Sequence, residues 1–127
     1  MGNGTSIGRV RGLGSAKHGS QHWLVQRFTA IGNLIAVGWL VISLLMLNNF
    51  NYITVHGWAA RPFSATMLGL LVVTTFWHAR LGVQVMVEDY VHDDGNRFAC
   101  VAALNLLAFA GVAFGLVCVI RLALGAA

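Results

Sequence analysis

Charge is scarce in this sequence: Lys, Arg, Asp and Glu supply 9% of its 127 residues, against 57% hydrophobic. Soluble domains carry roughly 25% charged residues, so an ordinary globular fold in water is excluded. Acidic residues are scarcer still. All four fall in one short stretch, as Glu88, Asp89, Asp93 and Asp94. Proline occurs once, at Pro62, so long stretches run without a helix breaker. There are two cysteines, Cys100 and Cys118. On one helix they would lie roughly 27 Å apart, which excludes a disulfide between them, and nothing pairs them with metal-ligand spacing.

What is present is long apolar sequence, with a mean hydropathy of +0.73. Crossing the hydrocarbon core of a bilayer takes roughly 20 apolar residues. Three segments satisfy this, at about 25–47, 63–87 and 98–122. The sequence therefore predicts an all-α, three-helix transmembrane subunit. Residues 1–24 form an N-terminal cytoplasmic or interfacial segment, residues 25–127 form the transmembrane domain, and no soluble domain remains to be placed. A cleavable signal peptide is not expected, because the first apolar run is too long for an h-region and lacks an A-x-A site.

Cytoplasmic flanks retain Lys and Arg during insertion. Arg9, Arg11, Lys17, Arg27 and Arg97 stand on one side of the predicted spans, against Arg61 and Arg121 on the other. This predicts a cytoplasmic N-terminus and a periplasmic C-terminus. The net charge of +4 then reflects topology, and a nucleic-acid partner has no support.

The glycine-, serine- and base-rich residues 1–22 read as irregular, and His22-Trp23 as an interfacial anchor. The stretch Asn48 to Pro62 reads as a short polar and aromatic connection, with Pro62 in the first turn of the second span. Gly111 with Gly115, and Gly32 with Ala36, have the small-xxx-small spacing that lets helices approach closely.

His78 is the chemically telling residue. It lies inside the second span, where an ionisable group is a functional hypothesis by default. Neutral imidazole is a strong iron ligand that adds no buried charge. A hydrogen bond to a neighbouring helix is the structural alternative. Gly82, one turn on, removes a side chain where a flat macrocycle would pack. Arg80 points to another face, either toward a propionate or, as the favoured reading, snorkelling to the headgroups.

No second histidine lies at His78's depth, so a six-coordinate heme iron would need its other axial ligand from a partner chain. Asp89 follows His78 by 11 residues, which returns to within about 20° of the same helix direction some 16 Å along the axis. Asp89-Tyr90 would sit on that flank at the cytoplasmic interface. There a tyrosine hydroxyl can donate to a quinone carbonyl and a carboxylate can pass protons from water. Four solvated carboxylates at a turn are the plainer reading of the acidic cluster.

The string His78-Ala-Arg-Leu-Gly82-Val-Gln-Val-Met-Val-Glu-Asp89-Tyr90-Val-His92 resembles the signature of the hydrophobic membrane anchor of succinate dehydrogenase (respiratory complex II). That signature has a heme-ligating His in the second helix, a Gly one turn on and an Asp-Tyr pair 11 residues after the His. The stretch from Gly12 through His22-Trp23 to Arg27-Phe-Thr29-Ala30 is similar to the entry into the first helix of bacterial members.

The resemblance implies packing against a second three-helix membrane protein, the succinate dehydrogenase cytochrome b subunit, with heme b between the two. His78 would be one axial ligand of its iron, and a histidine of the cytochrome b subunit the other. It implies a ubiquinone site near the cytoplasmic face, lined by Tyr90 with residues of the cytochrome b and iron-sulfur subunits. Arg27 would lie near the heme propionates, and Asp89 would orient the pocket or relay protons. A flavoprotein subunit would complete the assembly, in a bacterial inner membrane. The alternatives are a fumarate reductase anchor, and a non-catalytic heme- or pigment-binding membrane subunit.

Overall fold

The computed structural model describes residues 19–125, with no strand among them. Residues 1–18, most of the segment expected to be irregular, lie outside that range. Four helices follow in order: α1 Gly19–Leu45, α2 Tyr52–Ala59, α3 Pro62–Tyr90 and α4 Asp94–Ala123. The three long ones, α1, α3 and α4, are each long and apolar enough to cross a membrane. At 1.5 Å per residue they measure about 40, 44 and 45 Å, against an apolar core of about 30 Å, so their ends reach the headgroup layer.

That excess length explains where the observed helices outrun the apolar runs. Hydropathy reports the slab of lipid, whereas a helix continues as long as its backbone groups remain paired. Thus α1 begins at Gly19 and includes the polar Gln21 and His22, and α3 continues three residues past Val87 to Tyr90. The α3–α4 turn is short because Asp93 caps α4, accepting the Asn96 amide at 2.8 Å.

The connection from α1 to α3 contains a two-turn helix, α2, that hydropathy did not anticipate. Asn51 caps it by accepting the Thr54 amide at 2.8 Å, and Asn49 accepts the Thr54 hydroxyl at 2.7 Å. Pro62 opens α3 as expected. Trp58 of α2 is buried and stacks on Trp39 of α1, with ring centroids 5.7 Å apart, while Phe63 of α3 meets the same Trp39 edge-on. The end of the bundle that holds α2 is thereby closed by aromatic side chains.

Helix α3 is central. Both α1 and α4 pack on it, and they do not pack on each other. Small residues set both interfaces. A Cβ at Gly115 would come within 2.6 Å of Val72 Cγ1, and one at Gly111 would enter the Phe76 ring, so α4 approaches α3 through the expected glycine pair. On the other side Ala36 is buried, and Gly32 lies against Thr74, whose Cγ2 would be 3.5 Å from an added Cβ.

Polar links cross both seams. The Thr75 hydroxyl reaches Asn33 at 3.3 Å, and Arg80 donates its Nε–H to Asn105 of α4. Arg80 also lies over the Trp77 ring, 5.3 Å from its centroid. The favoured snorkelling of Arg80 is therefore replaced by an internal clamp between α3 and α4. The physical reason is the expense of an unpaired guanidinium at membrane depth, which Asn105 and an indole face relieve.

The row α1–α3–α4 leaves much apolar surface outside. Leu34, Phe98 and Phe114 are each more than 70% exposed, as lipid or a partner protein requires.

Candidate functional site

A groove of about 820 Å³ opens between α1 and α3, toward the C-terminal half of α3. From α1 it is lined by His22, Trp23, Gln26, Arg27 and Ala30, and from α3 by His78, Gly82, Gln84, Val85 and Glu88. This volume falls within the roughly 300–1,000 Å³ typical of ligand and cofactor clefts. His78 and Arg27, assigned from sequence to different helices, meet in it.

His78 is half-buried, about 18 Å along the axis from the end of α3. Its Nδ1 lies 3.1 Å from the Thr29 hydroxyl of α1. The inter-helix hydrogen bond posed as the structural alternative therefore exists, but it occupies one ring nitrogen only. Nε2 takes no hydrogen bond among the described residues.

Gly82 lines the groove one turn further, and a Cβ there would meet only the Gln26 side-chain amide, at 3.6 Å. No helix seam demands this glycine; its absent side chain widens the groove. Arg27 stands exposed at the rim with its guanidinium 5.3 Å from the centroid of Trp23.

Two buried polar atoms in the groove, His22 Nε2 and Gln26 Oε1, have no hydrogen-bond partner. Buried polar groups without partners are uncommon, and here both flank the same cleft. A ligand with apolar faces and anionic edges fits this set: an imidazole nitrogen without a hydrogen bond, a glycine floor, a buried histidine nitrogen and an arginine at the rim. Heme has that chemistry.

Asp89 and Tyr90 do not line the groove. They form the last two positions of α3, both exposed, with Tyr90 78% exposed. The uninterrupted helix from His78 to Tyr90 keeps Asp89 on the flank that the spacing implied, and turns Tyr90 about 120° away from the His78 direction. The acidic cluster resolves into separate roles. Asp93 caps α4, Asp94 pairs with Arg97 in the first turn of α4, and Glu88 accepts the Gln84 amide at 2.8 Å. Asp89 alone of the four makes no hydrogen bond or ion pair among the described residues.

Sequence reasoning placed His22 ahead of the first helix and assigned nothing to Gln26 or Thr29. Once α1 begins at Gly19, residues 22, 26 and 29 follow i, i+4, i+7 and share one face. That spacing of polar residues at the mouth of an apolar run was the available signal.

These features define a class: a three-span membrane protein with a histidine-bearing cleft between its first and central spans. The chain belongs to the succinate dehydrogenase/fumarate reductase transmembrane subunit family, whose pattern it matches over residues 1–114. It is 36% identical over 100 residues to the succinate dehydrogenase hydrophobic membrane anchor subunit of Rickettsia bellii, covering 79% of this chain and 80% of that one. To the protein of the same name from Rickettsia conorii it is 37% identical, covering 67% and 68%. To the succinate dehydrogenase membrane anchor subunit of Reclinomonas americana it is 33% identical, covering 72% and 79%. No solved structure matches significantly.

Proposed function

We propose that the chain is the hydrophobic membrane anchor of a bacterial inner-membrane succinate dehydrogenase, holding heme b with a cytochrome b partner and forming one wall of a ubiquinone site. The observation that carries the reading is the meeting of His78, Arg27 and Gly82 in one open groove. The names of the relatives and the family support it. All the curated relatives cited carry the dehydrogenase name, which favours succinate oxidation over the fumarate reductase alternative.

In this reading Nε2 of His78 would hold the iron, and a histidine of the cytochrome b partner would share in holding it. Gly82 leaves room for the face of the macrocycle, and Arg27 at the rim neutralises propionate charge. When bound, heme b supplies a one-electron redox centre beside the quinone site. Tyr90 donates its hydroxyl hydrogen to a quinone oxygen, and Asp89, free of the capping and pairing roles of its neighbours, carries protons from water or orients the pocket. Flavoprotein and iron-sulfur subunits bring electrons from succinate to that surface. The basic flanks favour an orientation with Asp89 and Tyr90 on the cytoplasmic side, where those soluble subunits would dock, and the C-terminus on the periplasmic side.

The test is His78→Ala in the assembled complex, followed by a dithionite-reduced minus oxidised difference spectrum. Loss or alteration of the b-type bands is expected, and an unchanged spectrum would remove His78 as a ligand.

A further inference from the structure

The hydrogen bond between α1 and His78 has a direction, and that direction decides which ring nitrogen can act as a ligand. The Thr29 hydroxyl has a single hydrogen. Its oxygen lies 2.9 Å from the Val25 carbonyl and 3.1 Å from the Gln26 carbonyl, both acceptors one turn back on its own helix. A threonine bonded to its preceding turn spends its hydrogen there and keeps lone pairs to offer. The third neighbour of that oxygen is Nδ1 of His78, at 3.1 Å.

We propose that Thr29 is a positioning residue: it accepts the Nδ1–H of His78, holding the ring in the neutral tautomer whose Nε2 bears no hydrogen and can ligate a metal. The opposite arrangement has Thr29 donating to Nδ1. It would leave both helix carbonyls without the hydroxyl hydrogen and put a hydrogen on Nε2, which meets no acceptor among the described residues. An unmet donor in apolar surroundings is the less favourable state. The branched Thr29 side chain is also held in its rotamer by the back-bond, so the acceptor is preorganised before any ligand arrives. Metal-bound histidines generally give their second N–H to such a partner, which raises ligand basicity. Here that partner is a neutral hydroxyl on the neighbouring helix, so Thr29 also ties the ligand's orientation to the α1–α3 seam.

The inference rests on the heme reading above, and the experiment separates the two. The complex is purified with all its subunits as wild type, Thr29→Val, Thr29→Ser, Thr29→Ala and His78→Ala, and the heme midpoint potential is titrated beside the difference spectrum. Thr29→Val keeps the shape and removes the acceptor. It should retain heme but shift the ferric/ferrous preference roughly tenfold toward ferrous, about 59 mV upward for a one-electron couple. Thr29→Ser restores the hydroxyl and should return the potential to the wild-type value.

A wild-type potential in Thr29→Val, with heme absent or altered in His78→Ala, overturns the role of Thr29 and leaves the heme reading standing. Equal potentials in the Val and Ser variants overturn it too, since the hydroxyl would then be irrelevant. An unaltered b-type spectrum in His78→Ala overturns both. If Thr29→Val assembles without heme, heme content in Thr29→Ser against Thr29→Ala decides: retention by Ser alone supports the proposal, and equal content in both overturns it.

Discussion

At the scale of single residues, the two ends of the candidate site make different demands. Tyr90 stands 78% exposed at the end of α3, with no partner for its hydroxyl among the described residues. Its replacement by Phe should therefore spare the fold and the heme spectrum. One neutral hydrogen bond contributes about 0.5–1.5 kcal/mol, so quinone reductase activity should fall roughly 2- to 10-fold. Activity at the wild-type level in steady-state quinone reduction would eliminate the hydroxyl role. Arg27 is held by one face of Trp23 and by no carboxylate among the described residues. Arg27→Gln should leave helix packing intact while lowering heme retention during purification, read as the ratio of b-type absorbance to protein.

At the scale of helices, the seams on either side of α3 differ in what holds them. The α3–α4 seam depends on close approach at Gly111 and Gly115 and on the Arg80–Asn105 bond. Gly115→Val would force side chain against Val72, an overpacking that costs about 1–3 kcal/mol. A lower thermal dissociation temperature of the detergent-solubilised complex would report it. Arg80 and Asn105 are not equivalent partners. Asn105→Leu strands a charge at membrane depth, whereas Arg80→Leu strands only a neutral amide, so Asn105→Leu should be the more destabilising of the two by the same assay. Equal effects would mean that the guanidinium already reaches water or headgroups. The α1–α3 seam carries more polar side-chain links, with Thr75–Asn33 and Thr29–His78 both crossing it. That seam is also the one that opens into the groove.

At the scale of the whole molecule, the open row of three spans has no interior of its own: no large side chain among the described residues is fully buried. Its apolar faces require lipid or another protein. Orientation can be checked with single cysteines, replacing Cys100 and Cys118 by serine and introducing Asn48→Cys or His92→Cys in turn. A membrane-impermeant maleimide added to intact spheroplasts should label the first and spare the second, and the reverse pattern would invert the topology.

Much of this architecture was legible in the order of residues, because bilayer thickness converts a run of about 20 apolar residues directly into a span. Pro62 at a helix start and the 11-residue step from His78 to Asp89 are local rules of the same kind, whereas the capping role of Asp93 went unread among four acidic residues. The start of α1 at Gly19 was not legible, since a helix persists into polar headgroup territory where hydropathy is silent. With it were lost the groove positions of His22 and Gln26. The sequence by itself determined three spans and a histidine at depth in the second. Only tertiary structure decided that Arg80 turns to Asn105 and that His78 turns to Thr29, because helix contacts join residues 25 and 49 positions apart, and no spacing along one chain encodes such a pairing.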